Sequence, residues 1–315
     1  MDGFEPFSVK TQDEPPVWIR GSRTPTPPTG ATDRPPILLL HGFPQTHHMW
    51  HRVAPRLSGS YALVAPDLRG YGASSKPAHD VSQYAKSAMA RDMVRVMDAL
   101  GFGGAPFFVC AHDRGARVAH KLMADHPARV RKAVLLDICP TLAMYTTPDP
   151  GFARAYFHWF MLIQPEPLPE TLLLGDPRKV ALMMLANKTI ATDEGKGQGQ
   201  GRMDLFDRRV LMDHYVPCFE DPETVHGWCQ DYRASATLDL DEARDDLAGG
   251  RLILSPLRVL LGGRNILPRM FDGLKEWTAV AAEGVEVGVT SVDSGHFIPE
   301  EIPGELASHV VEFFV

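Results

Sequence analysis

The 315-residue sequence lacks patterned cysteines, long apolar runs and clusters of one charge. Its four cysteines are widely separated and show no metal-ligand spacing with histidine, so free thiols are favoured over disulfides or a metal site. The longest apolar run, FHWFMLI, is too short to span a bilayer, and the start MDGFEPFSVKTQDEPP lacks the regions of a signal peptide. A net charge of −7 without a basic block argues against nucleic acid. We expect a cytoplasmic protein that binds neither membrane nor nucleic acid.

Short apolar runs alternate with helical patterns along much of the chain. The runs predict strands at 37–41, 61–66, 106–113, 132–138, 257–263 and 286–291. Between two of them, residues 83–100 repeat apolar side chains at helical spacing. Continuous apolar strands that alternate with helices predict an α/β fold, with a mostly parallel central sheet flanked by helices.

The alternation stops between residues 146 and 245, where the patterns are helical and no strand is evident. We predict an α/β core formed by 1–145 and 246–315, with 146–245 inserted as an all-helical cap over the carboxyl ends of the strands. The Gly-rich stretch 193–201 predicts a mobile loop within this cap. The Pro/Thr-rich stretch RTPTPPTGATDRPP predicts an exposed connection between two early strands.

The stretch FFVCAHDRGARVAHKLMADHP predicts a strand, a tight corner and a helix, with Asp113 at the corner. In serine hydrolases the motif Gly-x-Ser-x-Gly places the nucleophile at such a corner, called the nucleophile elbow. Asp113 is therefore a candidate nucleophile. The alternative is a helix N-cap, for which Asp is also a favoured residue.

Two further turns predict the partners of Asp113. HGFP follows the strand 37–41, and we expect the backbone N–H groups of Phe43 and Arg114 to form an oxyanion hole. SGHF follows the last strand, which makes His296 the candidate general base. The acid that orients it is predicted to be Asp137, after the strand 132–138, with Asp272 and Asp293 as weaker candidates.

A carboxylate nucleophile limits the reaction. It can displace a leaving group from a saturated carbon and form an ester, which activated water then hydrolyses. A halide or an epoxide oxygen fits as the leaving group. Arg114 and Arg117 favour a 2-haloacid, because guanidinium groups bind carboxylates through charge-assisted hydrogen bonds. Alternatively, the two arginines pair with Asp113 or have a structural role.

The motifs together resemble the fluoroacetate (haloacetate) dehalogenases of the α/β-hydrolase superfamily, over nearly the whole chain. The segments that carry the resemblance are HGFPQTH.MW, AHDRGARV, LDI.P, HW, QP.PLPE.LL.GDP, DYRA.A and SGHF.PEE. The resemblance implies hydrolysis of fluoroacetate or a related haloacid through an aspartyl ester, without cofactor or metal. It implies Arg114 and Arg117 as carboxylate ligands and a halide pocket of His158, Trp159 and Tyr232. It also implies a homodimer.

The chain departs from the family pattern at the polar Lys188, at the Gly-rich loop after it, and at Leu142 and Met144, where aromatic residues are expected. We therefore expect pocket size and substrate preference to differ.

Two alternative functions remain open. An epoxide hydrolase of the same fold would need two tyrosines as acids, for which the sequence offers Tyr232 with Tyr215 or Tyr156, and it would leave the arginines without a role. A non-catalytic ligand-binding protein would bind a carboxylate without turnover.

Overall fold

The centre of the protein is an eight-stranded sheet, seen in a computed structural model that describes residues 1–25, 34–78, 80–146, 149–186 and 203–315. The strands are β1 Glu5–Gln12, β2 Val17–Arg23, β3 Pro36–Leu40, β4 Ala62–Pro66, β5 Phe107–His112, β6 Val130–Leu136, β7 Leu257–Gly262 and β8 Val287–Val292. Their order is β1-β2-β4-β3-β5-β6-β7-β8. Strands β3 to β8 pair in parallel, whereas β1 and β2 are antiparallel to their neighbours.

The predicted mostly parallel sheet is confirmed, and each of the six predicted strands overlaps one from β3 to β8. Side chains of β3, β4 and β5 are almost all buried, as expected for strands covered on both faces. Strands β1 and β2 are not among the six strands predicted from the sequence. This hairpin lies at one edge of the sheet and exposes alternate residues, so it gives no continuous apolar run.

Helices cover the sheet and fill the long insertion. The α-helices are α1 Ala54–Leu57, α2 Lys86–Met97, α3 Arg114–Asp125, α4 Thr141–Tyr145, α5 Pro150–Ala155, α6 Phe157–Leu162, α7 Leu168–Leu174, α8 Pro177–Ala186, α9 Arg208–Val210, α10 Val216–Glu220, α11 Pro222–Ala236, α12 Leu238–Ala248, α13 Leu267–Met270, α14 Gly273–Thr278, α15 Ile298–Glu301 and α16 Pro303–Phe313. Short 3-10 helices span His47–Arg52, Val81–Tyr84, Pro127–Arg129 and Met203–Leu205, and π-helical turns span Asp98–Phe102 and Leu211–Tyr215.

The chain between β6 and β7 contains helices α4 to α12 and, in its described residues, no strand. We call residues 149–186 and 203–248 the helical insertion. Its last helix, α12, continues to Ala248, past the predicted boundary at residue 245. The predictions for Lys188, for the loop 193–201 and for most of the Pro/Thr-rich connection fall outside the described residues.

The parallel strands place the candidate functional residues together at the carboxyl-terminal ends of the strands. Asp113 follows β5, Asp137 follows β6, and the loop that carries His296 follows β8. Because parallel strands point the same way, their carboxyl ends lie on the same side of the sheet. All four cysteines are buried and free of disulfide bonds. In the part of the chain that the structure describes, no helix combines the length and apolarity needed to cross a bilayer.

Candidate active site

Asp113 lies at the corner between β5 and α3, as the sequence predicts. Its φ angle of 48° is in the left-handed region that residues other than glycine rarely occupy. This strained turn lets the chain pass from strand to helix while the Asp113 side chain lies at the carboxyl end of the sheet. The side chain is buried and makes no capping hydrogen bond to α3, so it does not act as the helix N-cap.

Two glycines leave the room that this corner needs. A Cβ atom on Gly42 would lie 2.5 Å from the Cβ of Asp113. A Cβ atom on Gly115 would lie 2.3 Å from the carbonyl oxygen of His41, so glycine lets α3 approach the end of β3. The turn after β3 and the start of α3 therefore fix the position of Asp113 from both sides.

His296 and Asp137 meet beside Asp113. His296 Nδ1 is 2.6 Å from Asp137 Oδ2, and its Nε2 is 3.6 Å from Asp113 Oδ2. With the proton on Nδ1 donated to Asp137, Nε2 is left as a base beside the candidate nucleophile. All three side chains are buried, and they come from segments that are far apart in the sequence.

Asp137 is the carboxylate that contacts His296, and the two weaker candidates lie elsewhere. Asp137 also accepts hydrogen bonds from the Gly262 backbone at 2.9 Å and from Asn265 Nδ2 at 2.5 Å. Asp272 caps α14, and Asp293 pairs with Arg264 on the surface. The last residue of β7 and the turn after it, which lacks an acid, thus each supply a donor that holds the acid from β6.

The backbone N–H of Phe43 points at the candidate nucleophile and donates to Asp113 Oδ1 at 3.0 Å. Arg114 is the first residue of α3, where backbone N–H groups have no partner within the helix. An oxyanion formed on the Asp113 carboxyl would develop beside the Phe43 donor. The positions agree with the predicted oxyanion hole, which stays a prediction.

Arg114 is held by a carboxylate that the sequence analysis did not single out. Its Nε and Nη2 contact the two carboxylate oxygens of Asp231 at 2.8 and 2.9 Å, and Nη2 also donates to Ser235. Asp231 further accepts from Tyr71 at 2.6 Å and from the Lys86 ammonium. Burial opposes the charge on Arg114, but the Asp231 carboxylate holds the pKa of Arg114 well above its ordinary value. Only Nη1 lacks a hydrogen-bond partner among the described residues.

Arg117 differs because it has no carboxylate partner within the described ranges. Its Nη1 donates to Thr141 Oγ1 at 2.8 Å, its Nη2 contacts Met144 Sδ at 3.2 Å, and its Nε is buried without a hydrogen-bond partner. Burial lowers the pKa of Arg117, and the nearby Arg114 adds to that effect. Tyr145 and the Asp113 carboxylate oppose this lowering of the pKa without cancelling it. A buried guanidinium with so little compensation favours the binding of an anion.

Aromatic side chains of the helical insertion face this corner. The Tyr232 ring lies 4.2 Å from the Arg114 guanidinium and 5.3 Å from the Phe43 ring. The His158 ring stacks 5.9 Å from Phe43, and the Trp159 ring lies 4.9 Å from the Arg117 guanidinium. The indole N–H of Trp159 and the hydroxyl of Tyr232 are buried and find no hydrogen-bond partner in the described part of the chain. The three predicted halide ligands therefore lie together.

Two further tyrosines lie near the site: the sequence analysis did not single out Tyr145, and it named Tyr156 only as a candidate acid for the epoxide hydrolase alternative. Tyr145 ends α4, and its ring stacks on Trp159 at 4.7 Å. Tyr156 precedes α6 and is buried, with a hydroxyl that has no partner among the described residues. Asp231 and Tyr156 were beside residues already singled out, in DYRA and YFHW. The signal was present, but a polar residue on a helix is usually solvated or structural.

One group of described side chains has the spacing of a metal site, and it lies away from Asp113. Its ligand atoms, from Glu166, Glu170 and His226, are within 4.8 Å of one another. Arg233 Nη1 lies 2.9 Å from Glu170 and already supplies positive charge there. The group therefore gives no reason to include a metal in the candidate active site.

Comparison with known proteins identifies the family. The family model of the alpha/beta hydrolase fold matches residues 35–174. A fluoroacetate dehalogenase from Burkholderia sp is 39% identical over 281 residues, which is 89% of this chain and 86% of that protein. The chain belongs to the fluoroacetate dehalogenase family. It is thus a hydrolase with the α/β-hydrolase fold, as the sequence resemblance implied.

The relatives of this protein are named for different activities. Epoxide hydrolase 3 from Siraitia grosvenorii is 37% identical over 303 residues, which is 89% of this chain and 91% of that one. A crystal structure from Nostoc sp PCC 7120, provisionally described as an alpha/beta hydrolase, has a TM-score of 0.87 at 41% identity and covers 99% of this chain and 98% of its own. The choice between a carbon–halogen bond and an epoxide therefore depends on the site residues.

Proposed function

We propose that the protein hydrolyses a small 2-haloacid, such as fluoroacetate or chloroacetate, to the 2-hydroxy acid and halide. The observation that carries this proposal is the buried Arg117 guanidinium, which faces the site without a carboxylate partner in the described residues. A substrate carboxylate bound there, with Arg114 Nη1 as a further donor, leaves its α-carbon near Asp113. A neutral substrate would leave the buried Arg117 guanidinium without an ion-pair partner among the described residues.

In the first step, a carboxylate oxygen of Asp113 attacks the α-carbon, and the halide leaves with the bonding electrons. The product is an aspartyl ester. Fluoride leaves slowly unless hydrogen bonds stabilise it as it departs. The Trp159 N–H and Tyr232 O–H are donors that have no partner among the described residues. His158, from the same helix as Trp159, completes the proposed halide pocket.

In the second step, His296 Nε2 takes a proton from water, and the hydroxide attacks the ester carbonyl. Asp137 orients His296 through Nδ1 and stabilises its charged form. The N–H groups of Phe43 and Arg114 stabilise the oxyanion, and cleavage of the acyl bond restores Asp113. Neither step requires a cofactor or a metal.

We also propose that the helical insertion is a cap that covers the site. His158, Trp159 and Tyr232 come from α6 and α11 of the insertion, whereas Asp113, Asp137 and His296 come from the carboxyl-terminal ends of the strands. A site enclosed between these layers excludes water, which strengthens the charge interactions with a bound carboxylate. The proposed partners are the haloacid and water. A cytoplasmic location and a homodimer stay predictions.

The test is release of halide and protons from fluoroacetate, chloroacetate and bromoacetate, with styrene oxide as the competing substrate. We expect turnover of at least one haloacetate to exceed that of styrene oxide, and Asp113→Ala to abolish it. The absence of halide release from all three haloacetates would disprove the proposal. Faster hydrolysis of styrene oxide than of any haloacetate would favour the epoxide hydrolase alternative.

A further inference from the structure

Three tyrosines at the site, Tyr145, Tyr156 and Tyr232, have buried hydroxyls without a hydrogen-bond partner among the residues that the structure describes. The Tyr145 ring lies 5.6 Å from the Arg117 guanidinium, whereas the rings of Tyr156 and Tyr232 both lie near His158. Buried polar groups in folded proteins are almost always paired, so unpaired ones in a site indicate bonds made to a ligand. The haloacid reaction proposed above uses Tyr232 and gives Tyr156 no role.

The rings of both phenols, Tyr156 and Tyr232, lie near the His158–Trp159 pair. The Tyr156 ring is 6.1 Å from His158 and 5.2 Å from Trp159, and the Tyr232 ring is 6.0 and 6.3 Å from the same two rings. Burial raises the pKa of both tyrosines, and the negative charge of Asp113 raises both further. Both phenols therefore stay protonated at neutral pH. Tyr232 and His158 both contact the ring of Phe43, whose backbone N–H donates to Asp113, so this group of rings lies next to the candidate nucleophile.

A phenol can do what an indole N–H cannot, because it can transfer its proton to a departing alkoxide. A halide leaves as an anion and needs no proton, whereas the ring oxygen of an epoxide leaves as a basic alkoxide. Two phenols near a carboxylate nucleophile therefore fit an epoxide. The buried Arg117, which has no ion-pair partner among the described residues, nevertheless favours a carboxylate on the same substrate. A 2,3-epoxy acid meets both requirements, and an uncharged epoxide meets only the first.

We propose that the site also hydrolyses small 2,3-epoxy carboxylates, such as glycidate, with Tyr156 and Tyr232 as the acids for the ring oxygen. This inference rests on the proposed roles of Asp113, His296 and Arg117. Asp113 attacks C2, the C2–O bond breaks, and one tyrosine O–H protonates the alkoxide left on C3. Water activated by His296 then hydrolyses the ester. The tyrosinate regains a proton as the His296 imidazolium loses one through solvent, so epoxide and water give the 2,3-dihydroxy acid.

The first experiment compares three substrates with the unmodified protein. Glycidate is the probe, glycidol is its uncharged match with the same ring, and bromoacetate tests the proposed function. We expect glycerate to form from glycidate with a kcat/KM at least about tenfold above that for glycidol hydrolysis, because a charge-assisted pair discriminates by that factor or more. Turnover of bromoacetate without glycidate would overturn this inference alone. Turnover of neither would overturn the proposed function as well.

The second experiment tests the tyrosines with Tyr156→Phe, which keeps the ring and removes only the hydroxyl. Loss of a general acid lowers turnover by roughly 10²–10⁴-fold, so we expect the kcat ratio of glycidate to bromoacetate to fall at least about tenfold. Tyr232→Phe should lower turnover of both substrates. Tyr84→Phe is the control, because its buried hydroxyl donates to Pro77 instead. An unchanged ratio in folded Tyr156→Phe would remove Tyr156 from the mechanism.

Discussion

At the scale of single residues, the proposed mechanism assigns Asp113 and His296 to different half-reactions. Their side chains are 3.6 Å apart, yet the first step needs only the carboxylate and the second needs the base. We therefore expect His296→Asn to displace halide once and then stop, because the ester persists. Mass spectrometry should show the covalent adduct on Asp113, together with a stoichiometric burst of halide.

The control for this prediction is Asp113→Ala, which should give neither burst nor adduct because the nucleophile is gone. Asp137→Asn should slow the second step more than the first, since its partner is His296 Nδ1. A folded His296→Asn protein that binds haloacid but forms no adduct would contradict the division between the two steps.

The two arginines also differ in their partners, because only Arg114 has a carboxylate partner in the described residues. Hydrogen bonds to a charged group contribute about 1.5–3 kcal/mol each, so Arg117→Gln should raise the KM for haloacetate by roughly 10- to 100-fold. Steady-state kinetics measure this change. Arg178→Gln, at an exposed ion pair with Glu220, is the matched control. An unchanged KM in Arg117→Gln would show that the carboxylate of the substrate does not bind to Arg117.

At the scale of elements, the contact of α3 with β3 fixes the nucleophile. Gly115→Ala would place a Cβ 2.3 Å from the His41 carbonyl oxygen and 2.7 Å from Leu40 Cβ. Both neighbours lie at the end of β3 inside the sheet and cannot easily shift, so α3 has to move and Asp113 moves with it. We expect at least about a 100-fold loss of kcat, since misplacement by 1 Å can reduce rates that much.

The control for Gly115 is Gly304→Ala in α16, where an added Cβ meets no atom within 4 Å. Alanine is favoured over glycine in a helix by about 0.5–1 kcal/mol, so this variant should be as stable as the original or slightly more so. Thermal unfolding and kcat measured on both variants separate a local clash from a general effect of the substitution. Full activity in Gly115→Ala would show that α3 need not approach β3 so closely.

Helix α11 is joined to the core by buried charges. Asp231 on α11 contacts Arg114, Lys86 and Tyr71, which all lie in the core. Asp231→Asn removes the negative charge and leaves two buried cations side by side. Breaking a buried ion pair costs about 3–5 kcal/mol, so we expect a large loss in the free energy of unfolding, measured by urea denaturation.

Asp241→Asn on the neighbouring helix α12 is the control for Asp231, because its ion pair with Arg244 is exposed. We expect that variant to change the free energy of unfolding by less than about 0.5 kcal/mol. Equal effects of the two substitutions would show that the buried cluster does not hold α11 to the core.

At the scale of the whole molecule, Glu300 joins three parts of the chain. Its Oε1 accepts hydrogen bonds from Gln45 after β3 and, at 2.6 Å, from Tyr215 in the helical insertion. Burial is the largest cause that raises the pKa of Glu300 from 4.5 to about 8, with Asp207 and Glu301 adding to it. The Tyr215 hydrogen bond and the charge of Arg52 oppose this rise.

Because the pKa of Glu300 is raised in the folded protein, Glu300 makes the free energy of unfolding depend on pH. Between about pH 4.5 and 8 the folded protein keeps a proton that the unfolded chain releases, so the contribution of Glu300 to stability falls as pH rises through this range. Glu300→Gln stays neutral at every pH. The free energy of unfolding of this variant, relative to the original protein, should therefore increase from pH 5 to pH 8.

Urea denaturation at several pH values measures this difference in the free energy of unfolding. Glu301 is present in both proteins, so its own titration contributes equally to both and cancels in the difference. Glu312→Gln is the control, because Glu312 lies on the surface beside Arg258. A difference that stays constant from pH 5 to pH 8 would mean that Glu300 is ionised in the folded protein.

The sequence by itself determined the parallel sheet, the corner at Asp113 and the turns that carry Phe43 and His296. These features depend on local patterns, since strand burial, turn chemistry and motif spacing act over a few residues. The resemblance to the fluoroacetate dehalogenases added the halide-pocket residues His158, Trp159 and Tyr232. The edge hairpin of β1 and β2 was not predicted, because its alternately exposed residues form no continuous apolar run.

Only the tertiary structure decided which side chains are partners. Asp137 contacts His296, whereas Asp293 pairs with Arg264. Arg114 and Arg117 look equivalent in the sequence, yet within the described part of the chain only Arg114 meets a carboxylate, from a residue more than one hundred positions away. The physical reason is that the charge of a buried group depends on what surrounds it in space, which sheet order and the packing of α11 on the core establish. The unused hydroxyl of Tyr156 became evident for the same reason.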